Sequence, residues 1–163
     1  MAVAYISMGS NINRTHHIQS GILGLKSHFS NILLSPVYES VSVGFEGDNF
    51  YNLVVSFESN NTIDETGQIL NRIEDQNKRD RTGPKFGPRT LDLDLLLYDD
   101  LVLDSGSLTI PRPEIYYNAF VLKPLVDLAP DLIDPLSGEY FTKLWGDFDK
   151  SKQSLWEIDF PIT

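Results

Sequence analysis

Seven consecutive residues, Leu91-Asp-Leu-Asp-Leu-Leu-Leu97, constrain this chain more than any other stretch. Side chains of a β-strand point alternately to opposite faces. The run therefore reads as a strand with Leu91, Leu93, Leu95 and Leu97 on a core face and Asp92 and Asp94 on the other. On that face the two aspartate Cα atoms would stand about 7 Å apart. Two like charges so placed repel each other unless a cation joins them. Magnesium, which takes carboxylate and phosphate oxygens, meets that need, and a pair of ions would bridge this face to a polyphosphate. Taken alone, the pattern also fits a strand whose polar side simply faces water.

The surroundings favour the metal reading. Arg89 follows Gly87-Pro88 and precedes the strand, at the end of a loop that also holds Arg79, Arg81 and Lys85. With Arg72 and Lys78 these are six of the thirteen basic residues, all in one short window, in a chain of net charge -10. Such a balance argues against general nucleic-acid binding, which needs basic surface to displace counterions. It suits a small anionic ligand, although a solvated charged loop has the same composition. A basic loop leading into a dicarboxylate strand matches phosphoryl transfer, where catalysis is positioning and charge neutralisation. Neither Gly-x-x-x-x-Gly-Lys-Ser/Thr nor Gly-x-Gly-x-x-Gly occurs, so phosphate binding would rest on side chains and metal. There is no cysteine, hence no thiol nucleophile and no disulfide. His16, His17 and His28 sit on or near the first helix and form no ligand set with other residues.

Hydrophobic periodicity places the elements around this strand. Residues 2–8 read as a strand ending at Gly9-Ser10-Asn11, and Ile18, Ile22, Leu25 and Phe29 recur at helical spacing over 13–29. Strands are expected at 31–38 and 50–58, separated by a loop with two glycines. Thr62-Ile-Asp-Glu65 reads as a capping box opening a second helix, whose apolar residues are Ile69, Leu70 and Ile73. A short hairpin is expected over 101–110 and a third helix over 117–127. The order strand-helix-strand-strand-helix-strand predicts an α+β fold, a ferredoxin-like βαββαβ sandwich with helices on one face of an antiparallel sheet, an extra hairpin and C-terminal additions. The 163 residues fit one domain, with a core over about 1–147 and an appended, irregular tail at 148–163. No stretch approaches a membrane span and the N-terminus has no signal-peptide pattern, so a cytoplasmic monomer acting on small molecules is expected, without membrane or nucleic-acid partners.

The segment Gly87-Pro88-Arg89-Thr90-Leu91-Asp92-Leu93-Asp94 resembles the motif of the 6-hydroxymethyl-7,8-dihydropterin pyrophosphokinases of folate biosynthesis. Gly9-Ser10-Asn11, Arg72-Ile73-Glu74, Pro124-Leu125 and Leu128-Ala129-Pro130 resemble further stretches of that family, in order. The resemblance implies a ferredoxin-like core and transfer of the terminal diphosphate of ATP to the pterin hydroxymethyl group, with release of AMP. It also implies two magnesium ions on Asp92 and Asp94, and Arg79 and Arg89 against the phosphates. Phe50 and Phe120 would sandwich the pterin, with Asn52 and the backbone near Ser40, Val41 and Val43 at its edge. Asn71, Glu74, Arg81, Leu95, Thr109 and Arg112 would complete the ATP side. Arg112-Pro113 stands where the family usually has His-Tyr, Asn118 where it has Arg, Phe86 where it has Trp, and Thr82 at a basic position. Those differences keep two other readings open: a diphosphokinase for a different pterin-like alcohol, and a non-catalytic pterin or nucleotide binding module.

Overall fold

The computed structural model describes residues 1–41, 47–77 and 90–161. Its elements are β1 (Ala2–Ser10), α1 (Arg14–His28), β2 (Ser30–Leu34), β3 (Val37–Ser40), β4 (Phe50–Ser59), α2 (Ile63–Gln76) and β5 (Asp92–Tyr98). They continue with β6 (Leu103–Asp104), β7 (Thr109–Ile110), α3 (Glu114–Tyr117), α4 (Ala119–Leu128), α5 (Phe141–Asp147) and β8 (Leu155–Ile158). The main sheet runs β5-β1-β4-β3-β8, with β2 also paired to β4. The pairings within it are antiparallel. No helix among the described residues is long and apolar enough to cross a membrane.

Local chemistry accounts for the helices. Thr62 and Glu65 form the reciprocal capping box expected of them, each side chain accepting the other's backbone N–H at 3.1 and 3.0 Å. Asn13 precedes α1 in a left-handed conformation (φ 46°) and makes no side-chain cap. Ile18, Ile22 and Leu25 of α1 and Ile69, Leu70 and Ile73 of α2 are buried against Ile6, Met8, Leu53, Val55 and Leu93 of the sheet. The single strand expected over 31–38 is two strands, because Pro36 lacks the N–H a continuous ladder needs. Ser35 bridges the break, donating its N–H to Val54 O at 2.9 Å and accepting the Val54 N–H on its hydroxyl at 2.8 Å.

Helices cover both faces of the sheet, not one. The opposite face carries Val54, Leu96 and Leu97 beneath Val121, Leu122 and Leu125 of α4 and Phe141 of α5. This corrects the expected leucine stripe. The β1–β5 register shifts between Tyr5 and Ile6, which pair with Leu97 and Leu95 respectively. A bulge of this kind sets two residues against one and reverses the alternation beyond it. Leu91, Leu93 and Leu95 thus face α1 and α2, whereas Leu96 and Leu97 both face α4. The C-terminal segment is also less irregular than expected, since Leu155–Ile158 extend the sheet as β8, paired to β3.

Candidate functional site

The dicarboxylate strand holds the geometry expected of it. Gly9 pairs with Asp92 on one side and with Asn52 on the other, and Asn52 pairs with Tyr38. These four residues form one transverse row. In the next row on the same face Ser7 pairs with Asp94 and Val54. Asp92, Asp94, Asn52 and Phe50 therefore project from the face that carries α4. Gly9 is needed in this row, because a Cβ there would meet Asn52 Oδ1 at 2.8 Å.

Asp94 is the electrostatic centre. Loss of water, then the Asp92 carboxylate beside it, push its carboxyl up to about 7 against the pull of the Arg112 guanidinium, with Glu74 and Glu114 adding to the rise. Arg112 Nη2 stands 3.4 Å from Asp94 Oδ1, and Arg112 Nε donates to Glu114. Burial works against the charge of Arg112, but Asp94 and Glu114 outweigh it and hold the guanidinium more firmly protonated than usual. Its backbone is fixed to the strand edge by the Arg112 N–H donating to Leu96 O at 2.9 Å. On the α2 side, Glu74 is 3% exposed and accepts the Leu93 N–H on Oε2 at 2.8 Å. A helix carboxylate thus grips the backbone between the two aspartates.

The donor set fits a hard divalent cation. Asp92 and Asp94 offer only oxygen, and no group of three or more His, Cys, Asp or Glu that could hold a metal occurs among the described residues. A pair of carboxylates leaves most coordination positions to water and phosphate, which is how magnesium is usually held.

Across Gly9 from Asp92, on the same face of the sheet, lies a polar group. Buried Asn52 donates from Nδ2 to buried Ser40 Oγ at 2.8 Å, and Ser40 pairs with Phe50 in register. Phe120 packs, half-buried, with the α4-side cluster that covers Val54. Val41 is 52% exposed just beyond β3. Of the other expected ATP contacts, Asn71 is on the exposed side of α2, and the Thr109 hydroxyl donates to Asp104 Oδ1 at 3.3 Å within the β6–β7 hairpin. The Leu95 side chain is in the core beneath α1 and α2, so only its backbone could meet a ligand. Arg79, Arg81, Arg89 and Val43 lie outside the described residues, as do Thr82, Lys85 and Phe86. His17 is buried, its Nδ1 2.8 Å from Asn77 Oδ1, and has no place in the site.

Two contributors escaped the sequence reading. Glu114 anchors Arg112, and its position two residues further on was the only signal. Gly9 was part of a quoted motif, but its role in making room for Asn52 needs the sheet register. Behind Asn52, on the α1 side, Arg14 lies over the Tyr51 ring at 3.9 Å and donates to Asn49 O at 2.8 Å and Glu39 Oε2 at 3.3 Å. Arg14, Glu39 and Asn49 edge a cleft of about 530 Å³ that holds none of the expected site residues.

Residues 5–130 match the family described as 7,8-dihydro-6-hydroxymethylpterin-pyrophosphokinase, HPPK. A 2-amino-4-hydroxy-6-hydroxymethyldihydropteridine pyrophosphokinase of Synechocystis sp. is 37% identical over 144 residues, covering 86% of this chain and 73% of the relative. The protein of that name from Aquifex aeolicus is 32% identical over 139 residues, covering 83% of this chain and 86% of its own. Among solved structures, HPPK-DHPS of Plasmodium falciparum in its S436F/A437G/A613T form superposes with a TM-score of 0.72 at 13% identity, over 90% of this chain and 43% of that one. The chain spans less than half of that longer protein, and the likeness concerns the fold. On the profile match and the two bacterial relatives, the chain belongs to the HPPK family of pyrophosphokinases.

Proposed function

We propose that this chain transfers diphosphate from ATP to the hydroxymethyl group of 6-hydroxymethyl-7,8-dihydropterin, releasing AMP, as a magnesium-dependent step of folate biosynthesis. The observation that carries the proposal is the shared sheet face. Asp92 shares a row with Asn52, and Asp94 projects from the same face one row on, which supports a metal-phosphate subsite beside a polar and aromatic one. The strand order β5-β1-β4-β3 supports the ferredoxin-like reading, and residues 1–163 would act as one domain. A cytoplasmic monomer needing no macromolecular partner is the simplest form for such an enzyme.

In this reading the pterin hydroxyl oxygen attacks the β-phosphorus and gives up its proton to water, the bond from that phosphorus to the α,β-bridging oxygen breaks, and AMP leaves with the bridging oxygen. Asp92 and Asp94 would hold two magnesium ions, which would supply neutralisation of the phosphate charge. Glu74 keeps Leu93, and with it both carboxylates, from drifting along the strand edge. Arg112 lies within reach of the same phosphates, steered by Glu114. Arg79, Arg81 and Arg89 supply further positive charge from the basic loop. Asn52 has carbonyl capacity for a pterin N–H while its amide nitrogen is held by Ser40. Phe50 and Phe120 stack on the ring, which gains from offset aromatic contact. Asn71, Leu95 and Thr109 complete the nucleotide side.

The test is the product. Incubation with ATP, magnesium and the pterin alcohol should yield AMP and the pterin diphosphate. Formation of ADP, or no nucleotide product, would refute the proposal. Replacing the pterin by other alcohols in the same assay separates this reading from a diphosphokinase of different acceptor preference. Arg112 and its Glu114 partner are the feature that favours the latter.

A further inference from the structure

The family match ends at residue 130, yet the chain beyond it touches both walls of the proposed pterin subsite. One wall is the start of α4, which carries Phe120. The N-cap residue of α4, Asn118, offers no side-chain hydrogen bond. The side chain of Gln153 supplies one from far along the chain: its Oε1 accepts the Ala119 N–H at 2.6 Å, and its Nε2 donates to Tyr117 O at 2.7 Å. One amide thus ties the last residue of α3 to the first of α4, next to Phe120. The other wall is the end of β3, where Leu155 of β8 pairs directly with Ser40.

Only Ser154 separates Gln153 from Leu155. Gln153 is extended, with φ -136° and ψ 123°. Two extended steps reach about 7 Å, so only a short span joins the anchor on α4 to the anchor on β3. The segment continues along β3 to Ile158, which pairs with Val37 and packs into the α1-side core. Beyond it, the Phe160 ring meets the edge of Tyr51 at 6.0 Å, and Gln19 donates to Pro161 O at 2.7 Å. The strap is therefore fixed at both ends.

We infer that Gln153–Ile158 is a positioning strap for the pterin subsite, setting the separation of the Phe120 wall from the Ser40–Phe50 wall, with Gln153 as its key positioning residue. This rests on the pterin reading of that subsite. The Asp92–Asp94 strand is at the far side of the sheet from β8, with β1, β4 and β3 between. The strap should accordingly act on pterin and not on nucleotide.

The test compares the full-length chain with Gln153→Ala and Gln153→Glu. Gln153→Ala should raise the KM for the pterin roughly tenfold while kcat and the KM for ATP stay within about twofold. Gln153→Glu keeps the acceptor for the Ala119 N–H and should recover at least half of that loss. In ligand-free protein, NMR amide shifts of Phe120 and Ser40 should move in Gln153→Ala, and those of Asp92 and Asp94 should not. An unchanged pterin KM would overturn the strap. So would a parallel loss in kcat and both KM values with a lower Tm, which would mark support of the fold alone, and so would no recovery in Gln153→Glu. The amide shifts need no activity. If the wild-type chain fails to use the pterin while those shifts appear, the pterin reading falls and the strap geometry stands.

Discussion

Glu74 on α2 accepts the backbone N–H of Leu93 at 2.8 Å, between Asp92 and Asp94, and so joins a helix carboxylate to the dicarboxylate strand. The bond is buried. Its loss would strand a backbone donor away from water, which costs about 1–3 kcal/mol. Glu74→Ala is expected to lower stability by that amount in urea denaturation and to weaken magnesium binding as well, because the strand edge loosens. Glu74→Gln keeps an acceptor and should retain most of the stability. If Glu74→Ala matches wild type in both denaturation and magnesium titration, the bond has no such role.

Arg112 stands beside Asp94, so it would compete with a cation arriving there in the nucleotide-free protein. Arg112→Met should tighten magnesium binding measured by calorimetry without nucleotide, by a few-fold, since a resident positive charge is removed. With ATP present the sign should reverse, because a phosphate partner is lost. Weaker magnesium binding in both conditions would contradict this competition.

Gly9 leaves the space that Asn52 fills. Gly9→Ala forces the Asn52 amide aside and breaks its bond to Ser40. The expected result is a pterin affinity lower by an order of magnitude, about 1.4 kcal/mol, with a smaller change in ATP affinity. Equal losses for both ligands would point to a general disturbance of β1.

Asp92→Asn and Asp94→Asn should each remove most AMP formation. Burial first and the Asp92 charge second drive the Asp94 carboxyl upward, and each variant relieves the like-charge contact, so neither should lower Tm in the presence of a chelator. Thermal unfolding with and without magnesium checks this: the wild type should gain Tm from the metal and the variants should not.

Leu97 tests the bulge. It is buried beneath α4 together with Leu96, away from Leu91, Leu93 and Leu95. Leu97→Ala should cost about 2–5 kcal/mol and loosen α4, with slower turnover from a less ordered Phe120. Hydrogen exchange that quickens in α1 and α2 in place of α4 would show that the side chain faces the other way.

Much of this protein was legible before any coordinates. The alternation at 91–95 placed Asp92 and Asp94 on one face, and the basic loop before them raised the expectation of a phosphate ligand. Thr62 and Glu65 announced α2 because a capping box is a local device, readable at fixed spacing. What stayed hidden depends on partners distant in sequence. The bulge opposite Tyr5 carries Leu97 to the α4 face, and a shift of ladder register leaves no mark in the leucine run itself. Glu74 could pass for a surface acid until α2 docks beside β5 and buries it on Leu93. The residues after 148 contain no strong period, yet β3 had an open edge, and pairing with that edge makes Leu155–Ile158 a strand. Local side-chain pattern thus determined which residues could bind metal and phosphate. Only the packing of the sheet between two helical layers decided which backbone groups, cations and C-terminal residues hold them in place, because hydrogen bonds and burial across the chain are properties of the assembled fold.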